Sequence, residues 1–237
     1  SGNNRRLRWL LALPKLGIIL LLAALLSLVW LLQRSEVEEE RAGLIKDVLW
    51  LEQNLRFHLT GNEEQLHQLA NDIGLTSDKK HTFRLRAAHL LKNNPSISQI
   101  LWLNKTRQVI DGLPNQNPPD TELEQFGPPA TEQSFLMASK LGKLAYSEPF
   151  FLDGNKAFIE VLVPLVGENG VNGMLIAVYP LDSLLANQVP WWFTEKYKVV
   201  VTDDNDVIYA AKTHIEGNGS QSYEIPFEPP GHGLKLK

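Results

Sequence analysis

The sequence predicts an α+β protein: an N-terminal transmembrane helix, a long stalk helix, an antiparallel-sheet domain and part of a second module of the same kind. Three observations predict it. An apolar run from Leu16 to Leu32 is interrupted only by Ser27. Hydrophobic residues then recur every three or four positions as far as Ile73. From Ile97 the period drops to two, and polar, Gly- or Pro-containing turns separate the runs.

Leu16 to Leu32 reaches the short end of the spanning range, and Leu10 to Leu13 extend it past Lys15, whose long stem can snorkel to the headgroups. Trp9 and Trp30 sit near the two ends, where indole rings favour the interface. A buried core helix of this length would show a polar face. A cleaved signal peptide would need a small-x-small exit, which Val29-Trp30-Leu31-Leu32-Gln33-Arg34 lacks. The expected order is a cytoplasmic tail at 1–8, a transmembrane helix at 9–32 and a stalk at 33–74. Arg5, Arg6, Arg8 and Lys15 precede the helix, whereas Arg34, Arg41 and Lys46 follow it. This bias is small, and the N-terminus is expected inside because a short basic tail followed by a long domain suits translocation of the domain.

In the stalk, Val37, Leu44, Val48, Leu51, Leu55 and Leu59 form one stripe, which resumes at Leu66, Leu69 and Ile73. Thr60-Gly61-Asn62-Glu63 reads either as a capping box that restarts the helix or as a tolerated glycine in one rod. The stripe either dimerises the stalk or packs on its own domain. A second helix follows, capped by Ser77, with Phe83, Ala87, Leu90 and Leu91 as its apolar face and Asn93-Asn94-Pro95 as its end.

Strands are expected at Ile97 to Asn104 and Gln108 to Leu113. A Pro-rich loop then covers Pro114 to Pro129. A helix at Ala130 to Leu141, closed by Gly142, precedes strands at Leu144 to Pro149, Ala157 to Val166 and Val171 to Tyr179. Leu181 to Leu185 is a helical turn. These elements make one module over 75–188. Beyond it the pattern restarts: Leu101 to Asn104 with Val109-Ile110 matches Val199 to Thr202 with Val207-Ile208 at one common offset. Strands at Tyr223 to Phe227 and Leu234 to Lys237 complete a partial module at 189–237. Trp191-Trp192-Phe193 reads as packing between modules, with membrane contact as the other reading.

The chain carries 237 residues, a net charge of -4, no cysteine and six histidines. Disulfides and thiolate chemistry are excluded. No Lys/Arg stripe suggests nucleic acid. The histidines make no HxxxH or HExxH pair, and no GxSxG, GxxxxGK[ST] or GxGxxG motif occurs, so neither metal, cofactor nor enzymatic activity is expected of this chain. Asp203-Asp204 lies in a turn, where Asp serves conformation.

Three stretches resemble the extracellular PAS-like sensor domains called Cache or PDC domains. These are Leu90 to Leu103, Tyr146-Ser147-Glu148-Pro149-Phe150, and Pro164-Leu165-Val166 with Gly173 to Leu185. The resemblance spans roughly 36 to 237. It implies a periplasmic ligand-sensing region of a bacterial inner-membrane receptor, foremost a two-component sensor histidine kinase, with a homodimer through the stalk. It also implies a fragment, since no return helix or output domain is present. The competing function class is a bitopic envelope scaffold that uses stalk and domain for protein contacts.

For a small-molecule ligand, the expected binding residues are Trp102, Tyr146, Lys156, Phe158 and Glu160. Trp102 and Tyr146 stand where the family lines its pocket, and both also read as core. Phe158, Glu160 and Leu162 share one face of their strand. Glu160 is then either a buried carboxylate needing a cationic ligand or a partner such as Lys156 or Arg84, or a solvated charge on an open face.

Overall fold

A computed structural model describes residues 3–114, 129–152, 155–214 and 222–237, with side chains from residue 17 onward except 36, 37, 129 and 130. The expected Pro-rich loop lies outside these residues apart from its ends, Pro114 and Pro129, as do the side chains of Trp9 and Lys15. The chain divides into two compact units, Ser1–Asp47 and Val48–Lys237.

Helix α1 spans Asn3–Leu75 without a break. Its apolar stretch is long enough to cross a membrane, and the described residues there are exposed. Arg34 pairs with Glu38 at 3.3 Å and lies over the Trp30 ring.

In the second unit, Leu51, Leu55, Leu59, Leu66, Leu69 and Ile73 are all buried, as the stripe requires. Thr60 and Gly61 are exposed and helical, so no capping box restarts the helix. Asn62 is buried. Helix α2 (Lys79–Asn93) starts one residue later than expected: Asp78, not Ser77, is the N-cap, accepting from the His81 N–H at 3.2 Å. Phe83, Ala87 and Leu90 form its buried face, and the Asn94 side chain closes it on the Leu90 carbonyl at 2.9 Å.

Strands β1 (Gln99–Asn104), β2 (Val109–Leu113), β3 (Ala145–Tyr146), β4 (Phe150–Leu152), β5 (Lys156–Gly167) and β6 (Gly170–Pro180) build one antiparallel sheet in the order β2-β1-β6-β5-β3, with β4 also paired to β5. Strand β4 was not expected from the sequence. The β5–β6 hairpin turns through Glu168-Asn169, and Gly170 at φ 94° supplies the left-handed backbone this turn needs. Helix α3 (Pro129–Leu141) ends at Gly142, φ 61°.

Register assigns the faces. Trp102, Leu175 and Val163 are mutual partners across three strands, and Tyr146 is opposite Val161. Trp102 meets Phe83 of α2 at 5.8 Å, so this face lies against the helices. The opposite face carries Leu101, Leu103, Leu162, Met174, Ile176 and Val178, which pack with Phe135 and Ala138 of α3.

Helices α4 (Leu181–Gln188) and α5 (Trp191–Thr194) lead to a four-stranded sheet of β7 (Val199–Thr202), β8 (Ile208–Lys212), β9 (Ile225–Pro226) and β10 (Lys235–Leu236), ordered β8-β7-β10-β9. Lys212 crosses back to the end of α4, where its ammonium donates to the carbonyls of Ala186 at 2.9 Å and Val189 at 2.7 Å. Trp192 packs on Trp50 of α1 at 5.2 Å, Phe193 meets Tyr197 at 5.0 Å, and Trp191 is exposed.

The two N-terminal hairpins are built alike. Asn104 Oδ1 accepts from the N–H groups of Thr106 and Gln108, while Asp203 Oδ1 accepts from those of Asn205 and Val207. Arg107 (φ 64°) and Asp206 (φ 59°) hold the same left-handed position. Each first strand bulges two residues before its turn Asx, between Trp102 and Leu103 and between Val201 and Thr202. These matches correct the expected offset by one residue: Leu103 corresponds to Thr202, not to Val201.

Candidate ligand-binding face

The α3-facing side of the first sheet is apolar except along one row. Gln99 pairs with Val178, and Val178 with Glu160, so these side chains stand in line across β1, β6 and β5. Glu160 is 1% exposed. The alternative of a solvated charge on an open face is therefore corrected: α3 covers this position. Its partner is neither Lys156 nor Arg84. Thr131, in the first turn of α3, donates its hydroxyl to Glu160 Oε2 at 2.6 Å. Lys156 is exposed, and Arg84 makes a bidentate pair with Asp111 at 2.8 Å on the helix side.

Burial pushes the Glu160 carboxyl up to about 7, while the Thr131 hydroxyl and the Arg107 charge pull it down. Arg107 projects from the β1–β2 turn, with its guanidinium 6.0 Å from the centre of the Phe135 ring and 3.3 Å from Glu132. The Gln99 amide nitrogen is buried and has no hydrogen-bond partner among the described residues. Phe158 is half-buried and stacks with Phe150 at 6.1 Å. A carboxyl of raised pKa, an amide donor and a guanidinium thus border an apolar patch. Such a set suits an anionic ligand with a short apolar body. No group of metal-ligating side chains occurs among the described residues.

No family model matches the chain. It is 25% identical over 233 residues, 98% of its length, to the C4-dicarboxylate transport sensor protein DctS of Rhodobacter capsulatus, and spans 33% of that relative. The ligand-binding domain of the Pseudomonas aeruginosa amino acid chemoreceptor PctC, solved with GABA, superposes with a TM-score of 0.51 at 14% identity, covering 77% of this chain and 91% of that one. An extracellular ligand-binding receptor of Desulfohalobium retbaense gives 0.55 at 12% identity, covering 78% and 38%. The globular part has the Cache/PDC sensor fold.

Within that sensor fold the expected binding residues separate. Phe158 and Glu160 lie on the α3-facing side, and Lys156 is at the exposed start of the same strand. Trp102 and Tyr146 project from the opposite side toward α1 and α2. The Tyr146 hydroxyl donates to Glu63 of α1 at 2.6 Å, and burial with this carboxylate raises its pKa. Sequence reasoning did not find Gln99, Thr131 or Arg107. Each comes from a different element, and no spacing connects them. For Arg107 the signal in the sequence is a basic residue in a short turn after an Asx, a pattern the strand periodicity does not register.

Proposed function

We propose that this chain is the signal-sensing region of a membrane-bound bacterial receptor and that Glu160, Thr131, Gln99, Arg107 and Phe158 bind its small ligand. The observation that carries the reading is the single polar row, centred on buried Glu160, on the otherwise apolar α3-facing side of a sensor-fold sheet. The sequence relative is named for C4-dicarboxylates, and the PctC domain holds GABA. These compounds share a carboxylate on a short carbon chain. The Arg107 guanidinium, the Gln99 amide N–H and, while it holds its proton, the Glu160 carboxyl supply the donors that such a group requires.

In this reading residues 75–188 form the membrane-distal sensing module and residues 189–237 begin a second, membrane-proximal one. Helix α1 crosses the bacterial inner membrane with its N-terminus in the cytoplasm and the sensor in the periplasm. Its stalk dimerises, and the full-length receptor carries a histidine kinase output.

The test is a thermal-shift screen of the whole chain in nanodiscs with succinate, fumarate, malate, GABA and L-isoleucine. A ligand at a hundredfold excess over its Kd stabilises the folded state by about 2.7 kcal/mol. The expected result is a rise in Tm with one of these carboxylates that is lost in both Glu160→Ala and Arg107→Gln. A rise that both variants preserve would move the site elsewhere. No rise with any of the five would reject short-chain carboxylates as the ligand class.

A further inference from the structure

The Asn62-Glu63 pair in α1 plays no part in helix capping, yet both side chains turn inward. Glu63 accepts from the Tyr146 hydroxyl at 2.6 Å, and Asn62 hydrogen-bonds the buried Tyr179 hydroxyl. Tyr146 belongs to the two-residue edge strand β3, and four elements converge on it and on Ser147. The Ser147 N–H donates to the Glu160 carbonyl at 2.9 Å, and the Glu160 N–H donates to the Ser147 hydroxyl at 2.9 Å. Ser134 of α3 donates its hydroxyl to the Tyr146 carbonyl at 2.9 Å. His232, from the β9–β10 turn, donates to the same carbonyl at 2.9 Å. That turn holds Gly231, His232 and Gly233 at φ 64°, 54° and 73°, a left-handed run uncommon for a non-glycine residue.

We infer that Tyr146-Ser147 is the coupling point between the ligand-facing side of the first sheet and the stalk helix, with Tyr146 as its positioning residue. Its backbone reads the Glu160 position and α3, and its side chain passes through to the other face and holds α1. A shift of Glu160 on ligand binding moves Ser147 through two hydrogen bonds. The rigid ring then carries the displacement to Glu63. The His232 contact gives the second sheet a hold on the same residue. What the coupling is for rests on the proposed sensing role; its existence does not.

The test needs no ligand, so its failure and the failure of the carboxylate screen are separate results. Hydrogen exchange is followed by mass spectrometry on peptides spanning α1 residues 58–66 of the whole chain in nanodiscs, at one pH above neutrality. Glu160→Gln removes the charge at the binding face and serves as the perturbation. The expected result is a change in α1 exchange of about 3- to 30-fold, the range for directly coupled residues. In the Tyr146→Phe background the same substitution changes α1 exchange by less than about twofold. Glu63→Gln, which keeps an acceptor oxygen for the Tyr146 hydroxyl, preserves the response. If Tyr146→Phe does not fold, Glu63→Ala breaks the same bond from the other side and is read identically. Additive effects of Glu160→Gln and Tyr146→Phe would overturn the inference, as would an α1 that ignores Glu160→Gln. A merely structural tyrosine would raise exchange by a constant factor and leave the response intact.

Discussion

Glu160→Gln should make the protein more stable, and only at the upper end of the pH range. The carboxyl titrates at about 7 when folded and at 4.5 when exposed. Below 4.5 it is protonated in both states, so its titration contributes no difference. Between 4.5 and 7 the unfolded chain releases this proton while the folded chain keeps it, and stability falls as pH rises. Above 7 both states are ionised and the penalty is fully present. The shift amounts to about 3 kcal/mol at 1.36 kcal/mol per unit. A Gln side chain is neutral throughout and still offers Thr131 an acceptor oxygen. The difference between variant and wild type should therefore be small at pH 4.5 and grow to about 3 kcal/mol by pH 8. For a folded unit of this size that is about 6 to 12 °C in Tm. Melting curves of both proteins at half-unit intervals of pH provide the measurement. Subtracting them cancels the titration of groups that do not interact with Glu160. Parallel curves from pH 4.5 to 8 would refute the reasoning and show that Glu160 ionises normally in the fold.

Three further substitutions probe the supports of the two sheets. Arg84→Gln leaves the buried Asp111 carboxylate without its bidentate partner and should lower stability by about 1 to 3 kcal/mol, read by urea unfolding. Lys212→Met removes the ammonium that satisfies the last carbonyls of α4, and the loss should be about 1 to 2 kcal/mol. Hydrogen exchange should localise it to the junction of α4 and β8. At Gly173 an added Cβ would stand 2.5 Å from the Leu103 carbonyl oxygen, which is backbone and cannot swing away. Gly173→Ala should therefore force β1 and β6 apart and destabilise by about 1 to 3 kcal/mol in the same unfolding assay.

The helices and the long hairpin were legible because their signals are local. Leu51, Leu55 and Leu59 announce one buried face at any reading, and Gly170 marks its turn. What strand periodicity cannot supply is the identity of the cover. Alternation places Phe158, Glu160 and Leu162 together, but only α3 lying over them makes Glu160 a buried acid with Thr131 as its partner. The same limit separates Trp102 and Tyr146 from Glu160. All three sit in strands of one sheet, and cross-strand register alone decides which side each one takes.

The misjudged offset between the two hairpins has the same origin. Matching Val109-Ile110 to Val207-Ile208 scores side-chain type, which tolerates a one-residue slip among Val, Ile and Leu. Backbone chemistry does not tolerate it. Only Asn104 and Asp203 carry a side-chain oxygen placed to accept two N–H groups of the following turn, and only Arg107 and Asp206 take the left-handed step that closes it. The polar turn residues therefore carry the alignment and the apolar strands do not. With the offset corrected, the counterpart of Arg107 is Asp206, a charge of opposite sign. A short carboxylate is the expected ligand of the first hairpin's basic arm, and the second hairpin has an acid where that arm would be. If both modules bound the same class of ligand, this reversal would put a like charge beside the carboxylate. In the proposed reading, carboxylate recognition therefore rests on Arg107 of the first hairpin and has no counterpart in the second.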